Sequence, residues 1–129
     1  MNENARSWIT ALRSGQYTQT RFGLKYIDHF DVMGVACDLY LRSTGGEWEV
    51  HRDDYYPDYR DGYYACCGHM SSLPTVVQEW LGLGSVTGEF IDSGGQATSL
   101  MDLNDQKGLS FAELADIIEA GPQGLFVVA

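Results

Sequence analysis

Positive charge is scarce in this sequence. The 129 residues contain eight Lys and Arg against eighteen Asp and Glu, a formal net charge of −10. The cations are also unevenly placed: Arg6, Arg13, Arg21 and Lys25 all fall in the first 25 residues, whose sole acid is Glu3. A body this negative repels phosphate backbones, which argues against direct nucleic-acid binding. It attracts basic protein surfaces instead. Cysteine is sparse too. Three residues, an odd number with Cys66 and Cys67 adjacent, make no disulfide framework and point to a reducing, cytoplasmic setting. No apolar run approaches the ~20 residues that span a bilayer, so no membrane association is expected. The opening MNENARSW lacks the basic-then-apolar pattern of a secretory signal. There is no phosphate-cradling glycine motif and no G-x-S-x-G elbow. With neither a repeat nor a low-complexity linker, residues 1–129 read as a single domain.

The apolar residues that are present set out an α+β fold: three or four short helices packed on one face of a small, mainly antiparallel sheet. Ala5, Trp8, Ile9 and Leu12 recur at helical spacing, with Asn2 or Asn4 to cap the start and Gly15 to end the helix in the left-handed conformation. Alternation at Phe22, Leu24 and Tyr26 predicts a strand within 17–27. Residues 32–40 fit both periods; helix is the favoured reading. Strand-like stretches at 47–51 and 62–67 flank a turn-rich connection and predict a hairpin. Leu73, Val76, Val77, Trp80 and Leu81 form a buried helical stripe, with Pro74 in the first turn and Gly82 closing it. A strand is expected in 85–91, a loop in 92–99, a helix from Ser110 to Ala120 and a terminal strand in 124–129. Trp8, Trp80 and Ile117 are expected to share the core.

The stretch DLNDQKGLSFAE, residues 102–113, has the outline of a calcium loop. Asp102, Asn104, Gln106, Ser110 and Glu113 fall on places 1, 3, 5, 9 and 12 of an EF-hand. Its sixth place, where that loop needs glycine, is Lys107, and Gly94 and Gly95 lie where an entering helix should run. The same letters spell a helix start. Ser110 and Glu113 form a capping box, Leu109 and Leu114 a hydrophobic staple, and NDQKG an ordinary turn. The helix start is the better reading, and no metal or other cofactor is expected.

This stretch also carries a family resemblance. An LND sequence followed by SFAELADIIE, the opening WITALRSG (8–15), the segment GVACDL (34–39) and the helix LPTVVQEWLGL (73–83) together resemble a group of small uncharacterised bacterial and phage proteins. The resemblance implies a phage or prophage origin and transfers no activity.

Cys66, Cys67 and His69, with Cys37 or His51, could supply zinc ligands, but structural zinc sites favour spaced cysteine pairs. On a strand, adjacent thiols would face opposite ways, one into the core and one out. The segment HRDDYYPDYRDGYY is the more telling one. Asp53, Asp54, Asp58 and Asp61 alternate with Tyr55, Tyr56 and Tyr59, a mixture of steering charge and aromatic contact area. These seven residues are the expected partner-binding site, and a basic protein surface the expected partner. The leading functional reading is therefore non-catalytic. A small acidic phage-type protein binds another protein, and an anti-defence inhibitor or a nucleic-acid mimic would suit the charge. The alternatives are a small hydrolytic enzyme using a Cys/His pair or loop carboxylates, and a small-ligand module.

Overall fold

A computed structural model of the chain describes residues 1–50 and 62–127. Helix α1 (Glu3–Arg13) is capped by the Asn2 side chain, whose oxygen accepts from the Ala5 N–H at 2.8 Å. Its buried residues are the four of the sequence stripe, Ala5, Trp8, Ile9 and Leu12, and Gly15 follows at φ 75°. The Trp8 indole N–H donates to the Val32 carbonyl at 2.9 Å, which fastens α1 to the start of the next helix.

Residues 32–40 are helical. Helix α2 (Val32–Thr44) starts at Asp31, which accepts from the Gly34 N–H, and ends at Gly45 in the left-handed conformation. Every residue from Val32 to Asp38 is buried. A helix enclosed on all sides shows no single apolar stripe, which is why both periods matched.

The strands are very short. Strands β1 (Thr18–Gln19), β2 (Lys25–Tyr26), β3 (His29–Phe30), β4 (Glu49–Val50) and β5 (Tyr63–Ala65) form a sheet in the order β1-β3-β2-β5-β4. Only the β1–β3 pairing is parallel. The expected hairpin is present as β4 against β5. The continuous strand expected in 17–27 is not. It breaks at Phe22, which has φ 62° and a largely exposed side chain, so Phe22 is not the buried member of an alternation.

Helix α3 (Thr75–Leu81) begins directly after Pro74, which occupies the cap position, and ends at Gly82. Val77 and Leu81 are buried, but Val76 is 43% exposed and Trp80 only half-buried, its ring edge-on to Tyr40 with centroids 5.6 Å apart. Trp80 and Ile117 pack against the core from outside; Trp8 is inside it. The stretch 85–91 contributes strand β6 (Glu89–Ile91), and part of the expected loop is its partner β7 (Ala97–Ser99).

Next comes a helix the sequence reading missed, α4 (Leu100–Asp105), capped by Ser99. The LND letters are thus the end of a helix, not a turn. Helix α5 (Phe111–Ala120) then carries both halves of the capping box: Ser110 accepts from the Glu113 N–H at 3.2 Å, and Glu113 accepts from the Ser110 N–H at 3.1 Å. Of the terminal strand expected in 124–129, the described residues form only an isolated bridge, Phe126 with Leu83.

The capping box sets a first expected result. Glu113→Ala should lower stability by about 1 kcal/mol, read from urea unfolding, as for other lost cap interactions. Millimolar calcium should leave the melting temperature of the wild type unchanged; a clear rise would restore the metal reading.

Candidate functional site

The seven residues expected to bind a partner, Asp53, Asp54, Tyr55, Tyr56, Asp58, Tyr59 and Asp61, lie outside the described residues, as does His51. Both ends of their segment are described. Val50 of β4 is 64% exposed, and the Gly62 carbonyl before β5 accepts from the Ile27 N–H at 2.7 Å. Gly62 thus sits beside the β2–β3 turn, whereas Val50 lies on the outer strand β4, across β5 from it.

That corner of the sheet carries apolar side chains in an unusual backbone. Phe22 (φ 62°) is 58% exposed and Ile27 (φ 54°) 56% exposed. Left-handed backbone is uncommon for residues other than glycine, and a β-branched residue there is an outlier. Each is held in place by interior bonds. The Phe22 N–H donates to the buried Asp105 carboxylate at 3.0 Å, and Ile27 is tied to Gly62. Tyr26 and Tyr63 pack together from β2 and β5, with their rings tilted by 47° and centroids 4.8 Å apart. Each ring lies over a glycine: a Cβ on Gly23 would come within 2.7 Å of the Tyr63 ring, and one on Gly62 within 2.9 Å of Tyr26. Tyr63, Tyr26 and Ile27 are thus neighbours across β2 and β5, and Phe22 immediately precedes the glycine that faces Tyr63. The sequence reading missed this grouping, because alternation assigned Phe22 and Tyr26 to the core and nothing marked Ile27.

The other sheet face is inward. Lys25 stands directly opposite Phe30 and Tyr64, with its ammonium 5.3 Å and 4.7 Å from their ring centroids and 5.5 Å from that of Trp48. Such cation–π contacts let a lysine stem cross an aromatic surface. Beneath them Asp38 accepts from the Tyr17 hydroxyl at 2.5 Å and from the Trp48 indole at 3.1 Å, and pairs with Arg42 at 2.9 Å. Burial, then this bond to Asp38, pushes the Tyr17 phenol far above its usual value. Every oxygen of Asp38 is engaged, so the group is structural.

A second polar knot lies where the calcium reading placed ligands. The Asn104 oxygen accepts from Gln19 at 2.8 Å and from the Val32 N–H at 3.2 Å; its amide donates to the Thr20 carbonyl at 3.0 Å and to Asp105 at 2.8 Å. Asn104 is fully buried, so it faces the core rather than a loop centre. Asp31 is buried beside this knot. One of its oxygens caps α2 and the other has no partner among the described residues. Burial pushes its carboxyl well above the usual range, opposed by the bond from Gly34.

The cysteines gather more closely than their spacing suggests. Cys66 and Cys67 follow β5 in a turn closed by mutual backbone bonds between Cys66 and His69. Cys66 is buried and Cys67 exposed, the in-and-out division expected, although a turn produces it and not a strand. Cys37 of α2 reaches the Cys66 thiol from inside. Hydrogen bonding with Cys37, and then with Cys67, holds the Cys66 thiol below its usual value, while burial pushes Cys37 well above. The His69 ring meets Ser72 Oγ at 3.2 Å. Among the described residues no group of three or more His, Cys, Asp or Glu could hold a metal ion, and no helix is long and apolar enough to cross a membrane.

A groove of about 570 Å³ runs between the β6–β7 hairpin, α4 and α5, lined in part by Phe90, Leu103, Lys107, Leu109 and Ile117. Its Asp92 is already committed to the hairpin turn, accepting from the Gly94 and Gln96 N–H groups. Ser93, Gln96, Thr98 and Asp102 complete its polar lining.

Residues 1–121 match a family model described as Domain of unknown function (DUF8296). No curated protein and no solved structure matches the chain.

Proposed function

From the premise that the chain belongs to the DUF8296 family, a domain of unknown function, we propose that it acts by binding another protein at the Phe22–Ile27 corner of the sheet. The observation that carries this reading is the pair of exposed, bulky side chains, Phe22 and Ile27, held in left-handed backbone before and after β2, whose Tyr26 packs on Tyr63. Strained backbone costs on the order of 1–3 kcal/mol per residue and persists where its surroundings over-determine it, a situation common in recognition surfaces. The chain that follows the acidic tyrosine segment resumes at Gly62, whose carbonyl accepts from the Ile27 N–H of this corner. Asp53, Asp54, Asp58 and Asp61 would steer a basic partner over roughly a Debye length, ~10 Å at 0.1 M salt, and Tyr55, Tyr56 and Tyr59 would add contact area. A phage or prophage protein that inhibits a host defence factor, or occupies a nucleic-acid-binding surface by mimicry, fits this charge.

The test exploits the strain. In a Phe22→Gly/Ile27→Gly variant, glycine adopts the same backbone freely, so the fold should melt at or above the wild-type temperature. A partner recovered on immobilised wild type from a host lysate should lose at least ten-fold in affinity for the variant. Asparagine in place of the four aspartates should slow association and flatten its salt dependence. A partner that binds both variants with wild-type kinetics would sink the proposal.

A further inference from the structure

Two adjacent thiols with opposite exposure, backed by a third, form a chemical arrangement that the binding reading does not use. The Cys66 and Cys67 sulfur atoms lie 3.9 Å apart, with Cys66 enclosed and Cys67 in solvent. Cys67 has φ 52°, another left-handed residue without glycine's freedom, and the paired backbone bonds between Cys66 and His69 hold the turn. The Gly68 N–H also donates to Glu49 at 3.3 Å, which ties the turn to β4.

We propose that Cys66 and Cys67 are a reversible dithiol–disulfide site that exchanges with low-molecular-weight disulfides. Accessibility assigns the roles. Cys67 is the outer thiol, the one an external disulfide can reach. After losing its proton to solvent, its thiolate attacks one sulfur of glutathione disulfide. The Cys67–glutathione bond forms, the glutathione S–S bond breaks, and one glutathione thiolate leaves. Cys66, the inner thiol, then attacks the Cys67 sulfur and expels the second glutathione thiolate. The protein loses two hydrogens as protons and two electrons, and one glutathione disulfide becomes two glutathione thiols. Hydrogen bonding from Cys37 favours the Cys66 thiolate that this second step needs. Cys37 takes no part in the exchange: it is buried in α2, and burial favours its protonated form.

The bond so formed is labile. Adjacent Cα atoms are about 3.8 Å apart, whereas unstrained disulfides join Cα atoms ~5.5–6 Å apart. Strain of this kind raises the reduction potential, so the ring should open again in a reducing glutathione buffer.

The experiment incubates the folded full chain with glutathione disulfide, quenches it with an alkylating agent in denaturant, and maps the peptides by mass spectrometry. The expected product has Cys66 joined to Cys67 and only Cys37 alkylated, and it reverts with excess reduced glutathione. Cys67→Ser, a surface change that leaves the fold intact, should stay unmodified under the same conditions. Cys66→Ala should retain glutathione on Cys67, because the displacing thiol is gone. Persistent glutathione on wild-type Cys67, a Cys37–Cys66 bond, or three alkylated cysteines after incubation would each overturn the proposal.

Discussion

Gly34→Ala is expected to unfold the protein or to destabilise it by more than about 3 kcal/mol, although the residue sits inside a helix. In an exposed helix that substitution is favourable by roughly 1 kcal/mol, because alanine loses less backbone entropy. Here the sign reverses for a steric reason. A Cβ on Gly34 would lie 2.7 Å from the Leu24 carbonyl carbon and closer still to its oxygen. Leu24 cannot retreat. Its N–H donates to the Met70 carbonyl at 2.9 Å and its carbonyl accepts from the Asp31 N–H at 3.2 Å. Overpacking a fixed backbone typically costs about 1–3 kcal/mol and occasionally more, and α2 could relieve it only by leaving the core. Urea unfolding reads the result directly. A Gly34→Ala protein with wild-type or higher stability would show that α2 has slack against Leu24.

Trp8→Ala should cost ~3–5 kcal/mol from lost burial alone, a large share of the ~5–15 kcal/mol that stabilises an ordinary domain. Trp8 has no exposed surface, and its indole N–H serves the Val32 carbonyl in the first turn of α2. Truncation also removes the bond from the indole to that carbonyl, a further loss of about 0.5–1.5 kcal/mol. Trp8→Phe separates the two effects, because it keeps much of the apolar area and loses only the donor. Its expected cost is smaller than that of alanine and larger than that of a surface change. Near-native melting of Trp8→Ala in a thermal scan would refute the placement of α1 in the core.

The regular helices were legible because their signals are local. Asn2, Ser110 with Glu113, Gly82 and Gly121 cap or close elements at the positions their chemistry requires. Helix α5, read as about Ser110 to Ala120, spans Phe111–Ala120 with Ser110 as its cap for that reason. The sheet was harder. Strands of two or three residues are too short for a period of two to declare itself, and their partners are set by tertiary contacts. Helix α4 was hidden by its polar residues. Asn104 and Asp105 look like turn letters, yet they point inward: they accept from Gln19, Phe22 and Val32, and the Asn104 amide donates to Thr20. The candidate surface was half legible. Composition drew attention to the acidic tyrosine segment, but exposure of Phe22 and Ile27 depends on φ angles that no residue letter declares. The proximity of Cys37 to Cys66 was likewise a matter of fold, since 29 positions separate them in the chain.

The pairing of the first helix with the last bears on how the protein is made. Arg13 of α1 bonds to Asp116 and Glu119 of α5, the latter 106 positions away, and Asn2 and Asn4 reach the Trp80 carbonyl. Translation at roughly 5–20 residues per second leaves α1 waiting about 5–20 s before α5 exists. Throughout that interval Trp8, Ile9 and Leu12 have no final partner on that side. Helix α1 thus leaves the ribosome well before the helix that encloses it, and the nascent chain presents its apolar stripe to whatever chaperone guards the exit.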